Sequence, residues 1–307
     1  MLRALLVNVS AVVAVMLIIM TAISVSKGQI LSLRKDWKRR VKQTAPIAIL
    51  LVGILLFNSF ARDRVFAVSR RIGWRPIGPI SDYEETIILA IQDVVIHELT
   101  VYFSFIYVYG YAFMLIFPVI AYLVLTDTIH LRKLLTAYSV NYMVGIVFYT
   151  LVLLYGPRNT FTDLVTLYEF QPEMQYITRE VNDNTNVFPS LHTSLSATIA
   201  IFAYRTRDAY PVWNVVALIL AASVAISTVY LAIHWVVDVI AGLILAWVSV
   251  LVADMTVDRF SVTRIVYNIF DKIRSTGSHL RGKIYSVWDT LRSKAQKVRS
   301  KVETQKE

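Results

Sequence analysis

Two side chains able to support nucleophilic or acid–base chemistry lie one helical turn apart late in the chain. His234 and Asp238 are four residues apart within the mostly apolar residues 227–238. That spacing places both side chains on one face of a helix. A carboxylate there can accept the imidazole N–H, which makes the other ring nitrogen a better nucleophile or base. Because ionisable groups beside a membrane span are costly, the pair predicts a functional site.

A second histidine, His192, lies in residues 186–194, Asn-Val-Phe-Pro-Ser-Leu-His-Thr-Ser. Pro189 and Ser190 predict that a helix begins near Leu191, since proline suits a first turn and serine caps free backbone N–H groups. The start of a helix attracts anions. We therefore expect His192 to lie beside a phosphate-binding site.

The composition is that of a membrane protein. The chain has 307 residues, 56% of them hydrophobic and only 17% charged, with a mean hydropathy of +0.57, which points to the bilayer as its solvent. Its 31 Lys and Arg against 21 Asp and Glu favour cytoplasmic loops and contact with anionic lipid over nucleic-acid binding. The absence of cysteine excludes disulfides, thiol catalysis and zinc–thiolate sites.

The hydropathy pattern predicts an all-α, polytopic transmembrane helical bundle. About seven spans are expected, together with amphipathic interfacial helices. A basic connector is expected at residues 26–43, a non-crossing segment at 61–79 and an interfacial helix at 80–99. The expected spans are residues 4–25, 45–60, 100–126, 134–155, 191–204, 212–229 and 235–254.

Three parts of the chain follow from this pattern. Residues 1–99 hold the N-terminal spans, residues 100–255 the catalytic membrane core, and residues 256–307 a basic amphipathic tail. The tail predicts helices on an anionic lipid surface, with a partner-binding coil as the alternative. The polar segment 156–187, which contains Arg158 and Arg179, is long enough to predict a lid or binding loop.

The distribution of basic residues predicts the orientation. With seven crossings, one side of the membrane holds 23 of the 31 basic residues, which lie in residues 26–43, 127–133, 205–211 and the tail. The positive-inside rule makes that side cytoplasmic. We therefore expect a multi-pass protein of the cell membrane with a cytoplasmic C-terminus and both histidine motifs on the extracytoplasmic face. The five arginines of residues 62–75 count against this orientation.

If the two histidine motifs and Arg158 meet at one membrane edge, the chemistry they suit is displacement at phosphorus. One histidine attacks, the other protonates the leaving oxygen, and the arginine and backbone N–H groups hold the charged oxygens. A metal site built from His192, His234 and Asp238 is the alternative use of the same side chains. A pair of hydrogen-bonding histidines between helices is the non-catalytic one.

These motifs resemble a known family. Pro189-Ser190-Leu191-His192, followed by Ser227-x6-His234-x3-Asp238, is similar to the second and third signature motifs of the type-2 phosphatidic acid phosphatase superfamily. Phe-Pro-Ser-Leu-His-Thr-Ser and Tyr-Leu-Ala-Ile-His-Trp-Val-Val-Asp most resemble its inositol phosphorylceramide synthase-like branch of inositolphosphotransferases. The resemblance covers about residues 100–255 and implies a six-helix core with the site at one membrane face.

The resemblance also implies roles for individual residues. His234 would form a phosphohistidine, Asp238 would orient it, and His192 would be the general acid. Phosphate would be bound by a set of polar side chains and by the backbone N–H groups of residues 190–193. That set is Arg158, Ser190, Thr193, Thr228 and Arg179. A membrane lipid is the implied substrate, with no cofactor and no metal.

The chain departs from the common phosphatase pattern at three positions. The family has glycine at the position of Leu191, arginine at that of Thr228 and lysine at that of Leu151. Two of three usual cationic ligands are therefore missing. The resemblance favours transfer of a phosphate-linked head group, for example to inositol, with lipid phosphate or polyprenyl diphosphate hydrolysis as the alternative. A metal-dependent lipid hydrolase and a non-catalytic scaffold or transporter are the other classes that the residues allow.

Overall fold

The fold is a bundle of helices. A computed structural model describes residues 2–161, 164 and 187–259, all within one compact unit, Met1–Phe260. In this part of the chain the only pairing of extended backbone noted is an isolated parallel bridge between Trp74 and Val152. The predicted all-α, polytopic bundle is confirmed. Arg179 and the tail helices predicted in residues 260–307 lie outside the described residues.

The described residues contain nine α-helices. A π-helical segment, Ile106–Gly110, joins α4 to α5, and a 3-10 turn, Pro157–Asn159, follows α6. The helices are α1 Leu2–Ser24, α2 Lys27–Ile72, α3 Ile77–Gln92, α4 His97–Phe105, α5 Tyr111–Leu123, α6 Ile129–Leu151, α7 Leu191–Arg205, α8 Pro211–Tyr230 and α9 Val236–Arg259.

Six helical segments in the described residues are long and apolar enough to cross a membrane: α1, α2, the run α4–α5, α6, α8 and α9. The seventh expected span is α7, which falls below this length because its 15 residues extend about 22 Å against a hydrocarbon core of about 30 Å. Even so, α7 packs against α5, α6, α8 and α9 and lies at the centre of the bundle.

The N-terminal third differs from the expectation. The pattern predicts a connector at 26–43, a short span at 45–60 and a non-crossing segment at 61–79. Instead, one helix of 46 residues, Lys27–Ile72, includes nearly all of these residues. Lys and Arg are good helix formers, so a change from apolar to basic residues marks depth in the membrane and not the end of a helix. Ser26 caps this helix by accepting the N–H of Gln29, whose side chain accepts the N–H of Ser26.

Two other boundaries move for local reasons. The interfacial helix expected at 80–99 ends at Gln92, and a short turn leads to α4 at His97. The span expected at 134–155 begins at Ile129 and ends at Leu151. Its last turn stops there because the N–H of Trp74 donates to the Leu151 carbonyl and the N–H of Leu153 donates to the Trp74 carbonyl.

Ion pairs tie three helices at the end of the bundle where α7 stops. Asp254 on α9 accepts two hydrogen bonds from Arg205, at 3.0 and 2.9 Å, and lies 3.1 Å from Lys133 on α6. We call this group, Lys133, Arg205 and Asp254, the far-end cluster. Helices α7 and α9 are parallel. Both therefore begin at the opposite end of the bundle, where the histidines lie.

Candidate functional site

His234 lies in the tight turn, residues 231–235, that joins α8 to α9. The N–H groups of Ile233 and His234 both donate to the Thr228 carbonyl, at 3.0 and 2.9 Å. Ala232 has a φ of 52°, a left-handed conformation that costs a residue with a Cβ about 1–2 kcal/mol. The N–H of Arg158 donates to the Ala232 carbonyl at 2.9 Å, so the turn is fixed by its own helix and by the segment after α6.

The His234 ring is paired with Asp238 as the spacing predicted. Its Nδ1 is 3.4 Å from Asp238 Oδ2, and the same oxygen accepts the N–H of Trp235 at 2.8 Å. His234 is 1% exposed and Asp238 is fully buried. Burial, together with the positive charge of Arg158, lowers the pKa of His234 to about 3, because burial disfavours the charged imidazolium. At neutral pH the ring is therefore uncharged.

His192 lies in the first turn of α7. The cap is Ser190, whose Oγ accepts the N–H of Thr193 at 3.3 Å and its hydroxyl at 3.1 Å. The His192 ring lies between two tyrosine rings, with centroid distances of 4.5 Å to Tyr107 and 4.3 Å to Tyr111. Both tyrosines come from the region of the π-helical segment, a local geometry often found at functional sites.

The two histidines, 42 residues apart in sequence, lie close together in space. Their ring centroids are 6.2 Å apart and the rings are inclined by 57°. Reacting atoms approach to about 3–3.5 Å before reaction, so two rings this close can both contact one small group such as a phosphate ester.

The starts of α7 and α9 are joined directly. The N–H of Ser190 donates to the Asp238 carbonyl at 3.0 Å. One turn after Asp238, Gly242 packs so closely on α7 that a Cβ there would lie 2.6 Å from the Ser190 carbonyl oxygen and 3.1 Å from Thr193 Cβ. Gly156 packs equally closely on the turn of residues 231–235, because a Cβ there would overlap the Ile233 carbonyl oxygen.

The comparison with known families agrees with this arrangement. The sequence pattern of the PAP2 superfamily matches residues 85–252, which is more than half of the chain and includes both histidine motifs. The chain belongs to the PAP2 superfamily. Membership supports a lipid phosphatase or phosphotransferase as the general function. No curated protein and no solved structure gives a significant match.

The other residues expected to bind phosphate in this PAP2 protein have different surroundings. Arg158 is partly buried beside the turn and acts electrostatically on His234. Ser190 and Thr193 are buried at the start of α7. The Thr228 hydroxyl donates to the Ala225 carbonyl of its own helix at 2.7 Å, so the contribution of Thr228 to the site comes from its backbone carbonyl.

The departures from the common PAP2 pattern have structural counterparts. Leu191, which replaces a glycine, packs against Gly145 on α6, where a Cβ would lie 2.9 Å from Leu191 Cδ1. Thr228 is fully buried. Leu151, at the position of the family's lysine, is 49% exposed. Within the described residues, the two cationic ligands of the family pattern are therefore replaced by a half-exposed leucine and a buried threonine.

Three features of the site were not found by sequence reasoning. Glu84 on α3 contacts the start of α9, although its position in the sequence resembled the outer face of an amphipathic helix. Trp235 is buried and its indole N–H donates to the Tyr155 carbonyl at 2.7 Å. Gly242 was detectable in principle, because it lies one turn after Asp238 on the same helix face.

A metal site gains no geometric support from the described residues. No group of three His, Cys, Asp or Glu side chains among them lies close enough to hold an ion. The three side chains of the alternative metal site do not converge on one point. Asp238 is beside Nδ1 of His234, whereas the His192 ring packs against the rings of Tyr107 and Tyr111.

Proposed function

We propose that this chain is an integral-membrane enzyme that cleaves a phosphate-linked lipid head group through a phosphohistidine at His234. The observation that carries the proposal is the 6.2 Å separation of the His192 and His234 rings, with Asp238 on the far side of His234. This arrangement supports a nucleophile and a proton donor that act on one phosphate ester.

The first half of the reaction uses the groups of the two helix starts. The lone pair of His234 Nε2 forms a P–N bond while the bond from phosphorus to the leaving oxygen breaks, and His192, held protonated by the negative charge of the bound phosphate, supplies the proton that this oxygen takes up. Asp238 holds the Nδ1 side and stabilises the positive charge that develops on the ring. Arg158 and the positive end of α7 bind the charged phosphoryl oxygens.

The second half decides the class of enzyme. An alcohol or a water attacks the phosphorus, the P–N bond breaks, and His192, now neutral, accepts the attacker's proton. We propose transfer to an alcohol such as inositol, and hydrolysis is the alternative. Motif similarity to inositolphosphotransferases supports transfer, as does the burial of His234 at 1% exposure, because a nucleophile screened from water favours an acceptor bound in a defined position.

The test follows the phosphorus. Purified protein in detergent is mixed with phosphorus-labelled lipid phosphates and diphosphates, with and without inositol, and quenched in alkali and in acid. We expect a labelled protein that survives alkali and loses label in acid, absent in His234→Asn and present in the control His130→Asn, whose histidine lies on α6. Labelled inositol phosphate indicates transfer, and free phosphate indicates hydrolysis.

Two outcomes would contradict the proposal. Turnover by a folded His234→Asn protein would exclude the phosphohistidine and favour a non-catalytic or unrelated role for the site. Loss of activity on chelation with recovery on adding zinc would favour the metal-dependent alternative.

We also propose that the site faces the extracytoplasmic side of the cell membrane and that the C-terminus is cytoplasmic. The 23 basic residues expected on the other side support this. The arginines of residues 62–75 oppose it, because Trp74 pairs with the chain that leads from α6 to Arg158. A C-terminal tag should resist protease in intact cells, and ready cleavage would invert the orientation.

A further inference from the structure

Helix α3 holds the start of α9 through one carboxylate. Glu84 Oε2 accepts the N–H of Val236 at 2.6 Å, and Glu84 Oε1 accepts the N–H of Val237 at 2.8 Å. Two parallel hydrogen bonds from one carboxylate fix both its position and its orientation. The first N–H groups of a helix have no partner within the helix, so Glu84 supplies from another helix the acceptors for the N–H groups of Val236 and Val237.

These two N–H groups lie inside the catalytic segment. Val236 follows His234 by two residues, and Asp238 follows Val236 by two. The intervening N–H of Trp235 donates to Asp238. Three successive N–H groups at the start of α9 are therefore bound by carboxylates of the protein. At the start of α7, by contrast, the N–H groups of Ser190 and Thr193 bind a backbone carbonyl and a hydroxyl, which are uncharged.

The same part of the chain also holds the other end of the turn. The Gln92 amide at the end of α3 donates to the Tyr230 carbonyl at 3.3 Å. The N–H of Ile96 donates to the Tyr230 hydroxyl at 3.1 Å, and this hydroxyl is also 3.3 Å from the Ile96 carbonyl. Residues 231–235 are thus held at Tyr230 on one side and at Val236 and Val237 on the other.

We infer that Glu84 and Tyr230 are positioning residues that fix the His234 turn relative to His192. The inference rests on the proposed role of His234 as nucleophile. Glu84 acts through the backbone N–H groups of Val236 and Val237, and Tyr230 acts through its hydroxyl, which binds the backbone of Ile96. A misplacement of about 1 Å at a reacting atom can reduce a rate about 10²-fold, so loss of this support should slow the chemical step and leave phosphate binding at α7 intact.

The experiment compares Glu84→Gln with Glu85→Gln. The amide of Glu84→Gln keeps one acceptor oxygen but turns an NH₂ group toward a backbone N–H, which breaks the two-bond cap. Glu85 is exposed on the same helix and serves as the matched control. We expect kcat and the rate of phosphoenzyme formation to fall about 10–100-fold in Glu84→Gln, with KM and inhibition by inorganic phosphate within about twofold of the parent, and no change in Glu85→Gln.

Tyr230→Phe tests the same inference where Glu84→Gln does not fold. It removes the hydroxyl shared with Ile96 and keeps the buried ring, and a fall in kcat at constant KM is again expected. Unchanged kcat in a folded variant, or a rise in KM equal to the fall in kcat, overturns the inference. If His234→Asn is inactive while Glu84→Gln and Tyr230→Phe are normal, the inference fails and the proposed function stands. An active His234→Asn removes the proposed function itself.

Discussion

The two helix starts that meet at the site are capped in opposite ways. The start of α7 is capped by its own Ser190, whereas the start of α9 is filled by Glu84 from α3 and by Asp238. A positive helix end neutralised by fixed carboxylates has little attraction left for a substrate anion. Under the proposed function, this difference implies that α9 holds His234 rigidly, while the start of α7, which no carboxylate of the described residues neutralises, attracts the phosphate.

The largest expected effect separates the histidines carried by the two starts. We expect His192→Ala to slow cleavage of a lipid phosphate about 10²–10⁴-fold, the usual contribution of a general acid. With an aryl phosphate the loss should be much smaller, because an aryl oxygen leaves without a proton. His234→Ala should lose activity on both substrates. Initial rates on the two esters give the measurement, and an equal loss on both in His192→Ala would remove its role as proton donor.

The next effect concerns the charge beside the phosphate. Arg158→Ala should lower kcat/KM on the order of 10²–10³-fold, as removal of a donor to developing oxyanion charge usually does. Arg158→Lys should recover part of this, because it keeps the charge and loses the two-pronged geometry. Arg64 is an exposed arginine on α2, and Arg64→Ala is the control for the non-specific electrostatic effect of removing a positive charge. Equal losses in Arg64→Ala and Arg158→Ala would assign the effect to surface charge.

A smaller effect is expected at the contact between the two starts. Gly242→Ala places a methyl group against the Ser190 carbonyl and should destabilise the protein by about 1–3 kcal/mol, the cost of overpacking. Gly53→Ala is the matched control, since nothing lies within 4 Å of its Cβ position. There, alanine should stabilise α2 by about 0.5–1 kcal/mol. Thermal unfolding in detergent measures both, and a neutral Gly242→Ala would show that the contact tolerates separation.

An effect of similar size is a pH dependence that arises from the buried His234. His234 has a folded pKa of about 3 and an unfolded pKa near 6.5. Between these values the unfolded chain binds the extra proton, so stability falls as the pH drops from about 6.5 toward 3. At pH 5 the loss should be about 2 kcal/mol. The melting temperature of His234→Gln should therefore fall less between pH 7 and 5 than that of the parent, and parallel curves would contradict the burial argument.

The site was predictable where sequence spacing alone decides geometry. The four-residue spacing of His234 and Asp238 gave the observed pair, and Ser190 gave the observed start of α7 at Leu191. The proximity of His192 to His234 depended on the packing of α7 against α8 and α9, and it was expected through the family resemblance.

The missed features depend on partners that are distant in the sequence. Glu84 is one of several acidic residues on an amphipathic helix, and only the tertiary structure distinguishes it from Glu85. The length of α2 was not predicted because the basic residues on both sides of its apolar stretch indicate the ends of a span, although the helix continues through them. Local composition describes the environment of a residue and leaves open which long-range partner it meets.

The long helix α2 has a consequence for the membrane itself. Its uncharged stretch, residues 43–61, is bounded by Lys42 and Arg62, and twenty residues of helix measure about 30 Å, the thickness of an ordinary hydrocarbon layer. The helix ends at Ile72, and Trp74 is then tied to the strand-like chain that leads to Arg158. A thinner or thicker bilayer changes the depth at which those two basic residues lie. We therefore expect the lipid composition around the protein to change the depth of the candidate site in the membrane.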